Sequence, residues 1–234
     1  MKNEEVRMKS AGIFSILHSP FYIRIIRWAF DRFYHEFAWT YDAVAVAVSG
    51  GRWGAWGRSA LPYLHGRVLE LGCGTGALQS ALAGRVAASV GVDASRQMLD
   101  ITMHKLDRAG RPIRLARALA QALPFLPTTF DSIVATFPTD YIADRATLAE
   151  ARRVLRPRGH LVIVLAATFA QGGPYQRLVD LAYRLTLQHS PRAQLDRPPR
   201  SAIADRLTQA GFVVEERWES VMGDQVHLVI GTQV

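Results

Sequence analysis

The sequence predicts an α/β domain: a doubly wound, mostly parallel seven-stranded sheet with an antiparallel last strand and an N-terminal helical cap. Three observations lead to this prediction. The 234 residues are 49% hydrophobic and 21% charged, so the chain can bury a core of ordinary size. After Gly66, short β-branched segments alternate with helical ones, which is typical of a parallel sheet covered on both faces. A glycine-rich turn follows the first of these strands.

The N-terminal part differs from the rest in composition and is predicted to be helical. In residues 21–37 the apolar side chains recur at spacings of three and four, and charged side chains take the other face. Further helical segments are expected at residues 38–48 and in a short stretch that ends near Tyr63. We therefore predict a helical cap over residues 1–62 and a main domain over residues 63–234.

The main domain is predicted to contain seven strands and five helices. The strands are residues 67–71, 88–92, 113–116, 132–136, 160–165, 212–218 and 225–232. The helices are residues 77–83, 96–109, 143–155, 175–188 and 201–210. Only a few residues join the last two strands, which is too short for a helical crossover, so we expect these strands to pair antiparallel.

Several classes of protein are excluded or disfavoured by composition. No apolar segment approaches the roughly 18 residues that span a bilayer. Cys73 is the single cysteine, which excludes an intrachain disulfide and a multi-cysteine metal centre, and we expect no metal site. The first residues have mixed charge and show no signal-peptide pattern. The cytoplasm is therefore the predicted location.

The chain is basic, with a formal net charge of +8. A basic balance can indicate a nucleic acid or an anionic surface as partner. Of the 28 basic residues, 25 are arginine, and they are scattered along the chain with only local clusters. This distribution favours a basic surface without nucleic-acid binding.

The segment of residues 68–76 carries the most specific signal. It runs from an apolar strand through Gly72, Gly74 and Gly76 into a helix. Such a turn lets a ligand approach bare backbone at a helix N-terminus. Because Ala77 also completes a dinucleotide-binding pattern, the charges around the turn have to decide which ligand fits.

Two acidic residues flank the turn. Glu70 lies two residues before Gly72, where a carboxylate would repel a pyrophosphate and attract a ligand with ammonium and sulfonium groups. Asp93 ends the second strand, about 20 residues after the turn, where an acid can accept hydrogen bonds from both ribose hydroxyls. Helix capping is the alternative role for Asp93, although Ser95 already offers a cap.

With these residues identified, the sequence resembles the class I S-adenosylmethionine-dependent methyltransferases, which have a Rossmann-like fold. It is most similar to the small-molecule group that includes the ubiquinone and menaquinone C-methyltransferases. The resemblance covers about residues 37–165. It rests on the glycine turn, residues 91–99, residues 120–125 with 130–134, and residues 155–161. It implies S-adenosylmethionine as cofactor and O- or C-methylation of a small acceptor. A nicotinamide-dependent oxidoreductase and a non-catalytic, basic nucleic-acid-binding relative are the alternatives.

The resemblance also implies a set of cofactor-binding residues. They are Tyr41, Glu70, Gly72, Cys73, Gly74, Gly76, Asp93, Ala94, Met98, Leu119, Ala120 and Thr136. Glu70 and the glycines surround the methionine moiety, Asp93 binds the ribose, and Ala94 and Met98 lie along the adenine. Thr136 faces the methyl group, and Tyr41 is a candidate lid. Helix packing is the alternative for Met98, and a core aromatic is the alternative for Tyr41. Leu119 stands where relatives often carry an acid that binds the adenine amino group.

The candidate catalytic residues follow the fourth strand. Methyl transfer from a sulfonium is an in-line displacement with a good leaving group, so positioning and exclusion of water can carry much of the catalysis. A base is needed only if the acceptor loses a proton. Ligands lie beyond the carboxyl ends of parallel strands, so Asp140 and Tyr141 are candidates for a base or for orienting the acceptor. For Asp140, starting the next helix is the alternative.

The acceptor is predicted only by class. The N-terminal region is rich in Phe, Tyr and Trp, which favours an apolar or amphipathic small molecule. The arginine-edged helix at residues 21–37 adds a predicted peripheral contact with a membrane surface. Packing of these aromatics on the domain or on a second subunit is the alternative. The sequence leaves the oligomeric state and the identity of the acceptor open.

Overall fold

The computed structural model describes residues 49–169 and 201–234, together with Val46. The predicted helices at residues 21–37 and 175–188 lie outside these residues, as does most of the helix predicted at 38–48. The division into a cap and a main domain stays a prediction.

The described residues contain the predicted seven-stranded sheet. Its strands are β1 (Arg67–Leu71), β2 (Ala88–Asp93), β3 (Leu115–Arg117), β4 (Phe130–Thr136), β5 (Leu155–Thr168), β6 (Phe212–Val221) and β7 (Asp224–Gln233). The strand order is β3-β2-β1-β4-β5-β7-β6, and β7 runs antiparallel to both of its neighbours. The predicted fold class, including the antiparallel last strand, is therefore confirmed.

Five α-helices are described. They are α1 (Trp53–Arg58), α2 (Ala77–Leu82), α3 (Arg96–Arg108), α4 (Arg145–Val154) and α5 (Ala202–Gln209). The last three begin where the sequence offers a capping side chain: Ser95, Asp144 and Ser201 each accept a hydrogen bond from a backbone N–H in the first turn. Short 3-10 helices follow α1 at Leu61–Tyr63 and precede α4 at Asp140–Ala143.

Both faces of the sheet are covered, because side chains alternate along each strand. On one face Leu69 and Ile133 pack with residues of α4 and α5. On the other face Val68 and Val134 pack with residues of α1 and α2. Helix α1, which belongs to the predicted cap, therefore rests directly on the sheet.

The turn between β6 and β7 explains the antiparallel pair. Val221 pairs with Asp224, so only Met222 and Gly223 connect the strands. Both residues have positive φ, 53° and 86°, as a two-residue hairpin turn of the I′ kind requires.

Among the described residues, no helix is both long and apolar enough to cross a membrane.

Candidate active site

The glycine turn lies at the carboxyl end of β1, in the middle of the sheet. Gly72, Gly74 and Gly76 all have positive φ, between 52° and 78°. A Cβ at Gly72 would lie 2.8 Å from the Tyr141 hydroxyl oxygen, and one at Gly76 would lie 2.6 Å from Cγ2 of Thr102. Glycine is therefore required at both positions by conformation and by space.

Gly74 differs from the other two glycines because its free side faces open space. A Cβ built there meets no heavy atom within 4 Å. Its N–H donates to Oδ2 of Asp93 at 2.9 Å, and its carbonyl accepts from the Thr102 hydroxyl at 2.6 Å. The turn is thus held from both sides while its backbone stays accessible to a ligand.

Asp93 ends β2 and is almost fully buried, with 4% of its surface exposed. Its Oδ2 accepts from Gly74 N–H and its Oδ1 accepts from Ser95 N–H, each at 2.9 Å. Each carboxylate oxygen can accept more than one hydrogen bond, so an acid at this position is chemically suited to bind ribose hydroxyls. Asp93 also shapes the glycine turn, and Ser95 caps α3 as expected.

Glu70 is buried on the face that carries α2. Its Oε2 accepts a hydrogen bond of 2.8 Å from the amide of Gln79. Burial is the main cause that raises the pKa of Glu70 to about 8, and the nearby Asp93 raises it further. At pH 7, without a ligand, the carboxyl is mostly protonated. The negative charge assumed in the sequence argument therefore develops only at higher pH or beside a cation.

Cys73 contributes its backbone to the turn, and its side chain points away into the core. A Cβ at Gly91 would lie 3.0 Å from the Cys73 sulfur, so the thiol packs against β2. Burial, together with the carboxyls of Glu70 and Asp93, raises the pKa of this thiol. Cys73 is therefore a packing thiol, with no thiolate available as a nucleophile.

The residues predicted to line the adenine differ in exposure. Ala94 is exposed and Ala120 is half-buried, and both lie near the carboxyl end of the β2–β3 pair. Leu119 is 59% exposed. Met98 is fully buried, which agrees with the packing alternative. Arg117, unremarked in the sequence argument, donates to the Ala94 carbonyl at 3.1 Å.

The candidate catalytic residues lie in the 3-10 turn after β4. The Tyr141 hydroxyl donates to the Leu71 carbonyl at 3.2 Å and covers Gly72. Asp140 is exposed and opens the 3-10 turn, whereas the cap of α4 is Asp144. The geometry therefore ties Tyr141 to the glycine turn and leaves Asp140 at the surface of the same edge.

Thr136 is the last residue of β4, and Leu71 pairs with its neighbour Ala135. Thr136 is therefore level with Gly72, on the face covered by α1. A Cβ at Gly57 of α1 would lie 3.7 Å from Cγ2 of Thr136. Tyr41, the candidate lid, lies outside the described residues.

The structure also identifies residues that the sequence argument missed. Gln79 and Thr102 are polar side chains on the buried faces of α2 and α3, with 3% and 0% exposure. The sequence signal that could have identified them is a polar residue at a helical position where the periodicity requires an apolar one. Both contact the turn or its acid, and they complete the support of the site.

Comparison with known proteins agrees with this geometry. Residues 68–159 match the family described as a methyltransferase domain. A demethylmenaquinone methyltransferase of Symbiobacterium thermophilum is 31% identical over 162 residues, which cover 64% of this chain and 62% of that protein. A ubiquinone/menaquinone biosynthesis C-methyltransferase of Geotalea daltonii is 33% identical over 139 residues, or 55% and 59% of the two chains.

The fold is that of the methyltransferases. The solved structure of an S-adenosylmethionine-dependent methyltransferase from Aquifex aeolicus superposes with a TM-score of 0.53 at 18% identity, covering 78% of this chain and 93% of that one. The predicted resemblance is thereby confirmed. The chain spans about three fifths of the length of the curated relatives it matches. The family match over residues 68–159 contains the whole glycine turn and Asp93.

Proposed function

We propose that this protein transfers the methyl group of S-adenosylmethionine to a small acceptor. The observation that carries the proposal is the open backbone of Gly74 at the carboxyl edge of the sheet, where its N–H donates to the buried Asp93 and the buried Glu70 lies four residues earlier. Ligands of doubly wound folds bind at this edge. The two relatives are named as a demethylmenaquinone methyltransferase and as a ubiquinone/menaquinone biosynthesis C-methyltransferase.

The two acids favour an adenosyl cation over a dinucleotide. A pyrophosphate at the glycine turn would lie close to Glu70 and Asp93, and its charge would oppose the ionisation of both. A ligand with ammonium and sulfonium groups stabilises the ionised form of Glu70. In this assignment Glu70 and the backbone of Gly72 to Gly76 bind the methionine moiety, and Asp93 binds the ribose.

The chain's own residues supply positioning in this reaction. S-adenosylmethionine, when bound, supplies an activated methyl group on a sulfonium leaving group. Thr136 and Tyr141 flank Gly72 on opposite faces of the sheet, so they border the space beside the cofactor. Asp140 is proposed as the base for acceptors that lose a proton, because it lies at the same edge and is exposed.

The acceptor is proposed to be apolar or amphipathic and methylated on oxygen or carbon. The names of the two relatives point to a quinone-type ring. The predicted membrane contact of residues 21–37 would serve such an acceptor, and flotation with anionic liposomes tests it. Cytoplasmic location stays a prediction.

A thermal-shift panel with S-adenosylmethionine, S-adenosylhomocysteine, NAD and NADP tests the cofactor. We expect both adenosyl ligands to stabilise the protein, by about 2.7 kcal/mol at a ligand concentration 100 times Kd, and the nicotinamides to have no effect. Stabilisation by NAD or NADP alone would contradict the proposal.

The matched variants are Gly74→Val and Gly84→Val. Both glycines have positive φ, 52° and 80°, and a Cβ at either one meets no atom within 4 Å. The two substitutions therefore impose similar backbone strain, but Gly84 lies after α2, away from the site. We expect Gly74→Val to lose the ligand-induced shift and Gly84→Val to keep it. Equal shifts in both variants would place the ligand elsewhere.

A further inference from the structure

Four aromatic side chains meet beyond the carboxyl ends of β4 and β5. We name Trp53, Trp56, Phe137 and Phe169 the aromatic wall. The ring centroids of Trp53 and Phe137 are 4.2 Å apart, and those of Trp56 and Phe169 are 5.3 Å apart. Trp56 is buried, whereas the other three are half-buried. The wall thus combines a fixed interior with partly accessible ring surface.

The aromatic wall lies beside the glycine turn. Leu71, the residue before Gly72, pairs with Ala135 on the neighbouring strand, and Thr136 is the next residue of β4. Phe137 directly follows Thr136, and Gly57 of α1 packs against the Thr136 methyl group. The wall therefore borders the place where an acceptor has to approach the cofactor.

Phe137 adopts a backbone conformation that an aromatic residue rarely takes. Its φ is 48°, in the left-handed region. Its N–H donates to the Val164 carbonyl at 2.8 Å, which holds the residue against β5. Strain of this kind persists where the surroundings enforce it, and it is concentrated at ligand sites. Here it directs the ring towards Trp53.

Asp224 fixes the helix that carries Trp53 and Trp56. It is 1% exposed and lies at the start of β7. Arg52 donates to its two oxygens at 3.0 and 3.1 Å, and the Trp56 indole N–H donates to Oδ2 at 3.0 Å. Loss of this carboxylate would leave the buried indole N–H without its acceptor and Arg52 without its counterion, so α1 would lose its fixed position.

We propose that Trp53 and Phe137 determine acceptor specificity by stacking on a flat ring, and that Asp224 is a positioning residue that holds this surface in place. The inference rests on the proposed methyl transfer, because the wall is assigned to the acceptor by its closeness to the glycine turn. Offset or tilted stacking on aromatic rings favours flat unsaturated ligands over aliphatic ones of equal size.

The test measures the binding of 1,4-naphthoquinone by isothermal titration calorimetry in the full chain saturated with S-adenosylhomocysteine. Decalin-1,4-dione, a saturated ring of similar size, is the comparison ligand. We expect the wild type to bind the flat ring at least tenfold more tightly. We expect Trp53→Leu and Phe137→Leu to weaken its binding by roughly tenfold. Calorimetry should show S-adenosylhomocysteine affinity within twofold of the wild type.

Control variants separate this role from general stability. Trp218→Leu removes a half-buried aromatic that stacks on His227 of β7. This variant should keep the wild-type affinity for both ligands. Asp224→Asn should weaken the binding of naphthoquinone and leave the affinity for S-adenosylhomocysteine unchanged. If the role of Asp224 were purely structural, the variant would have a lower melting temperature without a selective loss of naphthoquinone binding.

Three results would overturn the inference: equal binding of the flat and saturated rings, no binding of either ring, or unchanged naphthoquinone binding in both Trp53→Leu and Phe137→Leu. Failure of S-adenosylhomocysteine to bind would overturn the proposed function. In that case, naphthoquinone binding measured without S-adenosylhomocysteine would still test the role of the aromatic wall.

Discussion

At the scale of single residues, burial of the Glu70 carboxyl disfavours its ionised form, and a cationic ligand would favour that form. The group is buried beside Asp93, and its pKa rises to about 8. Its folded pKa therefore exceeds its unfolded value. Ionisation opposes folding, and the stability of the ligand-free protein falls as pH rises from about 4.5 to about 8. A bound cation would favour the ionised form and offset part of this loss of stability.

Glu70→Gln tests this coupling. The amide keeps a partner for Gln79 but cannot ionise, so the ligand-free variant should melt at a higher temperature than the wild type at pH 8.5. The difference should shrink towards pH 5. Calorimetry should show that the affinity of the wild type for S-adenosylmethionine increases from pH 6 to pH 8, whereas that of the variant is weaker and nearly constant. An identical pH dependence in both proteins would assign the titration to another group.

At the scale of elements, a side chain of α4 anchors the loop that follows the candidate adenine region. Arg153 donates to the carbonyls of Leu123 and Phe125 at 2.9 and 2.7 Å. Glu150, one turn earlier, accepts from Leu123 N–H at 2.8 Å and pairs with Arg153. The planar guanidinium donates to two carbonyls and to both oxygens of a carboxylate, whereas a lysine has only three donors on a single nitrogen.

Arg153→Ala should therefore lower the free energy of unfolding by about 1–2 kcal/mol, because two loop carbonyls lose a charged donor. Urea unfolding measures the change. Arg145→Ala, at an exposed position in the first turn of the same helix, is the control and should stay within about 0.5 kcal/mol. A loss as large in Arg145→Ala would show that the helix, and not the loop contact, is affected.

At the scale of the whole molecule, the half-buried His160 and the buried His227 on the sheet are expected to make the fold sensitive to acid. Burial lowers the pKa of His160, and the nearby His65 lowers it further. Burial also lowers the pKa of His227, partly offset by Glu216. For each histidine the unfolded chain binds the proton more readily, so stability is lost as pH falls below about 6.5.

His160→Asn tests this contribution. We expect the wild type to lose more stability than the variant between pH 7.5 and pH 5.5 in urea unfolding, because the variant has no imidazole to protonate at that position. His104→Asn, at an exposed position on α3, should lose as much as the wild type. If all three proteins respond alike, the acid sensitivity arises elsewhere.

The order and type of the described elements follow from local signals. β1 begins and ends where its short apolar segment predicts, and α3, α4 and α5 begin next to residues that cap them. The glycine turn is equally local, because three positive φ values within five residues require glycine at those positions. β5 is longer than predicted, at Leu155–Thr168. Pairing with β7 extends its end to Thr168, and pairing of Leu155 with Phe130 of β4 extends its start.

The properties of the site depend on contacts between distant parts of the chain. The sequence by itself determined the doubly wound sheet, the glycine turn and the acids beside it, because each arises from the periodicity or backbone preference of neighbouring residues. Only the tertiary structure decided that burial raises the pKa of Glu70 to about 8, that Asp93 also holds Gly74, and that Asp224 fixes Trp56 across 168 positions of sequence. Desolvation and buried hydrogen bonds are set by which residues enclose a group, and that information exists only once the chain has folded.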